Sequence, residues 1–208
     1  NGYYSKLLQV NHFIEEVTEG CDFLSADKKN MYLAQAHALR AYYYFMLYKT
    51  FGAVPLETEV SVMSGNIDIV SMLKPRNSAA EVMKFIKDEI NASEQAWGSS
   101  TTHNAYMWSK YATLFLKAEI YMWAAKVSFT GFNATGTADL QTAKAALQGV
   151  IGQFELQEDY ASIFSTKKKK NNEVIFAYPF AEGEATNWGG MFLYQDALFL
   201  GQAHGRDG

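Results

Sequence analysis

The side chains able to do covalent or metal chemistry are scattered in this sequence. Its four histidines, His12, His37, His103 and His204, show no ligand spacing such as the i, i+4 pair of a helical zinc site. Glu15, Glu16, Glu19 and Asp22 gather oxygens at the end of the first helical stretch, but without a calcium-loop pattern they read as a solvated face. Glu57 with Glu59, and Asp88 with Glu89, could suggest glycosidase chemistry, which depends on a separation in space that sequence does not supply. No nucleophile elbow, phosphate loop or dinucleotide fingerprint occurs. The expectation is a protein that is not an enzyme, with no catalytic residues, no metal and no cofactor.

Binding chemistry is easier to find. Trp188 and Tyr194 lie in a stretch without helical period, together with Asn187, Gln195, Gly189 and Gly190. Flat rings can take the C–H face of a sugar, and amides can exchange hydrogen bonds with its hydroxyls. Trp188, Tyr194, Asn187 and Gln195 are therefore the candidate ligand-binding residues. The alternative is that these rings plug a loop onto a helical core. Lys167–Lys170 could offer an anionic-ligand patch, but reads as a solvated loop.

The elements that would position these groups are helical. Tyr4, Leu7, Leu8, Asn11, Ile14 and Val17 form one stripe of a helix over 2–18. A second helix runs from about Asp27 to Phe51, with Ser25 as N-cap and Gly52 as its stop. Its stripe includes Ala34, Ala38 and Ala41, small residues that let a neighbouring helix approach closely. Ser78 and Glu81 make a capping box for a third helix ending near Trp97, with Phe85 inward. A fourth helix is expected over 105–127, with Trp108, Phe115 and Ile120 inward, and a fifth over 139–151. Residues 173–178 read as a short strand, and 181–208 show no period. The helix around Ala38–Ala41 is echoed around Phe115–Ala118, a faint repeat of helical hairpins. The fold class is all-α: tetratricopeptide-like stacked hairpins with irregular, loop-rich segments. We expect one partial domain over 1–208, comprising a hairpin core at 1–152 and a loop-rich segment at 153–208.

Composition agrees with a packed domain. The 208 residues are 49% hydrophobic and 19% charged, with 3 prolines, favouring long helices and a real core. A net charge of −4 argues against nucleic acid as a partner. A lone cysteine, Cys21, excludes an internal disulfide framework. The opening residues read as the middle of a helix already under way, as in a fragment of a longer chain.

Five runs, in order, resemble the SusD/RagB family of glycan-capturing lipoproteins. They are Ala38–Tyr42 followed by Phe51–Leu56; Arg76, Ser78 and Glu81 with Ile86, Glu89 and Ile90; Leu116, Ala118, Ile120 and Tyr121; Leu156 with Asp159, Tyr160, Ile163 and Phe164; and Asn172–Phe176. The resemblance implies hairpins that pack against a SusC-like TonB-dependent transporter and an irregular side that binds an oligosaccharide. It implies capture and hand-over without bond cleavage, at the outer-membrane surface. Membrane attachment would come through a lipidated cysteine outside this chain, since Cys21 lies too deep in the pattern. Arg40 and Glu119, charged within apolar helices, would each find a buried partner. The rival reading is a helical-repeat scaffold for protein interactions with no carbohydrate role.

Overall fold

A computed structural model describes residues 2–60, 74–163, 171–180 and 184. It divides the chain into two compact units, Asn1–Ala177 and Tyr178–Gly208. In the second unit only residues 178–180 and 184 are among those described.

The first unit is a stack of antiparallel helices. Helix α1 (Gly2–Glu15) runs on into a π-helical turn, Glu16–Gly20, and is followed by α2 (Ala26–Phe51). Tyr3 meets Tyr43 and Phe13 meets Tyr32, each pair with ring centroids 6.0 Å apart, which fixes the antiparallel sense of this hairpin. Helices α3 (Ala79–Trp97) and α4 (Lys110–Lys126) form the next hairpin. Asn91 donates to the Tyr121 hydroxyl at one end, and the Trp97 indole donates to Thr113 at the other. Helix α5 (Thr137–Gln148) returns along α4, and a single turn, α6 (Tyr160–Ile163), follows.

Local signals explain most helix limits. Ser78 Oγ accepts from the Glu81 amide while the Glu81 carboxylate accepts from the Ser78 amide, so the capping box forms in full. Gly52 ends α2 at a φ of 66°, and a Cβ there would lie 2.7 Å from the Phe129 ring. Ser25 occupies the N-cap of α2, yet its side chain makes no capping hydrogen bond.

The core is built on α2, α3 and α4. Ala34, Ala38 and Ala41 are all fully buried, as are Tyr44, Phe45, Ile86, Ile90 and Ile120. The small size of the three alanines lets α2 lie close against its neighbours, because a methyl leaves the backbones room to approach.

Three expectations need correction. Residues 173–178 contain no strand; Val174 turns back on Asn171, and Ala177 donates one backbone bond to Ala105. Helix α4 starts at Lys110 and not at 105, because Asn104 folds 104–107 into a turn and Ser109 becomes the N-cap. Phe115 is 52% exposed. Helix α4 is buried on every side except a stripe through Phe115, Met122 and Lys126, and that stripe is where Phe115 falls.

Candidate functional site

Two buried polar clusters organise the stack, and one of them opens into a cleft. The first joins α1, α2 and α3. Arg40 grips both Glu89 carboxylate oxygens, Nε to Oε2 at 2.7 Å and a terminal nitrogen to Oε1 at 2.8 Å. His37 Nδ1 lies 2.8 Å from the same Oε2. Asn11 accepts from Arg40 and donates to the Glu57 carbonyl. Burial alone would raise the Glu89 pKa, but the hydrogen bonds from His37 and Arg40, together with the Arg40 charge, hold it below the ordinary carboxylate value. Arg40 thus has the buried partner expected of it. Glu119 pairs with Lys49 at 3.0 Å, but its own side chain is 46% exposed, so this pair is not a buried one.

The second cluster is neutral and centres on Thr113, which is fully buried. Its hydroxyl oxygen is 3.0 Å from the Trp97 indole nitrogen, 2.9 Å from that of Trp108 and 3.0 Å from Ser93 Oγ. An indole N–H can only donate, so both lone pairs of the threonine oxygen are taken. Its own proton must therefore go to Ser93, which in turn donates to the Ala34 carbonyl at 2.6 Å. Every proton in this relay has one direction. Helices α3 and α4 and the loop between them meet here through four side chains, and α2 joins through the Ala34 carbonyl.

The two indoles bracket the loop 98–109 and line a cleft of about 600 Å³ between it, the start of α2 and the end of α3. That volume falls within the range of small-ligand sites. The loop is locally determined. Gly98 takes a φ of 53° and closes α3, Lys110 Nζ donates to the Gly98 carbonyl, and Asn104 Oδ1 accepts from the Tyr106 amide. Gln35, from α2, donates to the Trp108 carbonyl at 3.0 Å and fixes the other wall. Asn30, Gln95, Ser100 and Thr102 add amides and hydroxyls, and Asp27 and Lys28 supply one charge of each sign. Trp97 is nearly enclosed, whereas Trp108 is half-buried, with Phe176 at 5.2 Å. Neutral donors and acceptors around a partly open indole suit a polyhydroxylated, uncharged ligand.

Sequence reasoning placed the binding residues elsewhere. Trp188, Tyr194, Asn187 and Gln195 lie outside the described residues. In the sequence, Trp97 ends the third expected helix and Trp108 lies on the stripe of the fourth, and neither reads as part of a site. The signal was nonetheless present: rings at both ends of a Gly-, Ser- and Asn-rich loop repeat the composition that singles out 187–195. Among the described residues no cluster of three or more His, Cys, Asp or Glu could hold a metal ion, and no helix is long and apolar enough to cross a membrane.

A SusD-like family model, described as starch-binding and associating with the outer membrane, matches residues 1–129. A SusD-like protein of Formosa agariphila is 30% identical over 145 residues, covering 67% of this chain and 27% of that protein. A SusD superfamily structure from Bacteroides fragilis is 35% identical with a TM-score of 0.79, covering 92% of this chain and 38% of its own. B. fragilis NanU is also 35% identical, with a TM-score of 0.77 over 92% of this chain and 37% of that one. The chain therefore spans roughly a third of the length of the proteins it resembles. With a family model covering more than half of its residues and the same helical stack in solved relatives, this chain belongs to the SusD-like family.

Proposed function

We propose that this chain is part of a protein that captures a neutral oligosaccharide at the bacterial outer-membrane surface without cleaving it. The observation that carries the reading is the cleft beside the 98–109 loop, where two indoles are held by one buried threonine among amides and hydroxyls, with Asp27 and Lys28 adding one charge of each sign. Membership of a family described as starch-binding supports a glycan as the ligand class. Trp108 offers the half-open ring, and Gln95, Asn30 and Thr102 offer partners for hydroxyls. Capture by such groups needs no general acid or base.

Trp188 and Tyr194, with Asn187 and Gln195, are proposed as a further sugar-contacting segment on the strength of composition alone. Hand-over of the captured glycan to a SusC-like TonB-dependent transporter is the corresponding next step, with attachment to the membrane through a lipid anchor. Affinity electrophoresis of the full-length protein in gels containing starch, a β-glucan, a xylan or a mannan tests the reading. Retardation by at least one polysaccharide, weakened by Trp108→Ala, is the expected result. Migration unaffected by every polysaccharide would remove the glycan assignment. The segment at 187–195 has its own test: Trp188→Ala should weaken retardation and leave the unfolding midpoint nearly unchanged.

A further inference from the structure

A second cleft adjoins the first. It measures about 470 Å³ and is lined by His103, Asn104, Gln153, Phe154, Glu155 and Asn172. Asn104 lines both clefts, so the loop 98–109 forms a crest with one cleft on each flank. The second resembles the first in chemistry: a ring, Phe154, among the amides of Asn104, Gln153 and Asn172.

The crest is held on the side of the second cleft by residues 171–177. His103 Nε2 is 2.9 Å from the Ile175 carbonyl, which can only accept, so Nε2 carries a proton and donates it there. The Ala177 amide donates to the Ala105 carbonyl at 2.8 Å, and Phe176 packs on Trp108. Phe154 meets both His103 and Tyr111 edge-on, and Gln153 Oε1 accepts from the Tyr111 hydroxyl. Asn104 is oriented by the same logic. Its Oδ1 accepts from the Tyr106 amide at 3.0 Å, which leaves the Nδ2 hydrogens at the exposed crest as donors.

We infer that a single oligosaccharide occupies both clefts and crosses the loop over Asn104, whose Nδ2 donates to it at the crossing. This rests on the glycan reading above and deepens it. The ligand is then an oligomer long enough to fill two subsites, and a mono- or disaccharide fills only one. Two linked subsites make the second contact intramolecular, so affinity should climb steeply once the chain reaches both.

The test uses the full-length protein and an oligosaccharide ladder cut from whichever polysaccharide retards it in the affinity gels. Isothermal titration should show affinity rising by about a hundredfold between a disaccharide and the members that span both clefts. Asn104→Asp keeps the oxygen that the Tyr106 amide needs and deletes the donor, so it isolates the crossing contact. It should weaken the long members roughly fivefold, the loss of one neutral hydrogen bond, and the disaccharide by less than that. Asn172→Ala should lower affinity for long members only, and it decides the matter if Asn104→Asp does not fold. Affinity that levels off at a disaccharide, or losses equal for short and long members, would overturn the bridging while leaving glycan capture intact. Absence of retardation by every polysaccharide would overturn both.

Discussion

The two buried polar clusters lie along the same α2–α3 seam and solve different problems. At Arg40, full charges are matched oxygen by oxygen, and Arg40 and Glu89 are both buried. At Thr113 no group is charged, and the relay ends on indoles that line a cleft. A buried ion pair is strongly destabilising when one partner is removed, because the remaining charge stays in a poor solvent. A neutral hydroxyl relay carries less energy but fixes direction, since each atom has one remaining role. The charged cluster therefore holds the stack together, and the neutral one shapes the site.

That contrast can be broken from its strong end. Arg40→Met should destabilise by about 3 to 5 kcal/mol, read from the urea unfolding midpoint, because it leaves Glu89 buried without its main partner. Sugar affinity of the protein that remains folded should hardly move. Thr113→Val removes the acceptor of two indoles at once and should destabilise by about 1 to 3 kcal/mol. Here, in contrast, glycan affinity should fall as well, and the indole N–H resonances of Trp97 and Trp108 should shift. Thr113→Ser should restore both, because it keeps the hydroxyl. Equal losses of affinity in the two variants would show that the clusters do not divide the work in this way.

Acid sharpens the comparison. Glu89 is held below its ordinary value of 4.5 in the fold, so its contribution is present above that pH and is lost as pH falls through the lower, folded value. The unfolding midpoint should drop as pH falls below 4.5, and Glu89→Gln should flatten that dependence. The Thr113 relay has no group that titrates in this range, so Thr113→Val should keep the acid sensitivity of the parent. The smallest effect is expected at the exposed Lys84–Asp88 pair, 2.6 Å apart on one face of α3. Lys84→Ala should shift stability by no more than about 0.5 kcal/mol, which sets the scale for the other changes.

Part of this was legible in the chain itself. The alanine stripe of α2, the Ser78–Glu81 box and the Gly52 stop are local signals, set by side-chain size, a three-residue hydrogen-bond reach and a positive φ. They need no partner to be read, and they placed α2 and the start of α3 and supported the all-α class. The charge at Arg40 also announced a partner, since an arginine in an apolar stripe must be paired when buried.

Tertiary structure decided what lies between the helices. Glu89 as the partner of Arg40 joins residues 49 apart in sequence, and Thr113 as the shared acceptor of Trp97 and Trp108 depends on how the loop before α4 folds back, neither of which a period records. The exposure of Phe115 followed from α4 being covered on nearly every side, so that amphipathic pattern no longer marked which face was inside. Residues 173–178 have the composition of a strand, but a strand needs a paired edge, and this segment makes only one backbone bond to the crest loop, from Ala177 to Ala105. The cleft itself is space enclosed by α2, α3 and a loop, so its existence depended on how those elements came together.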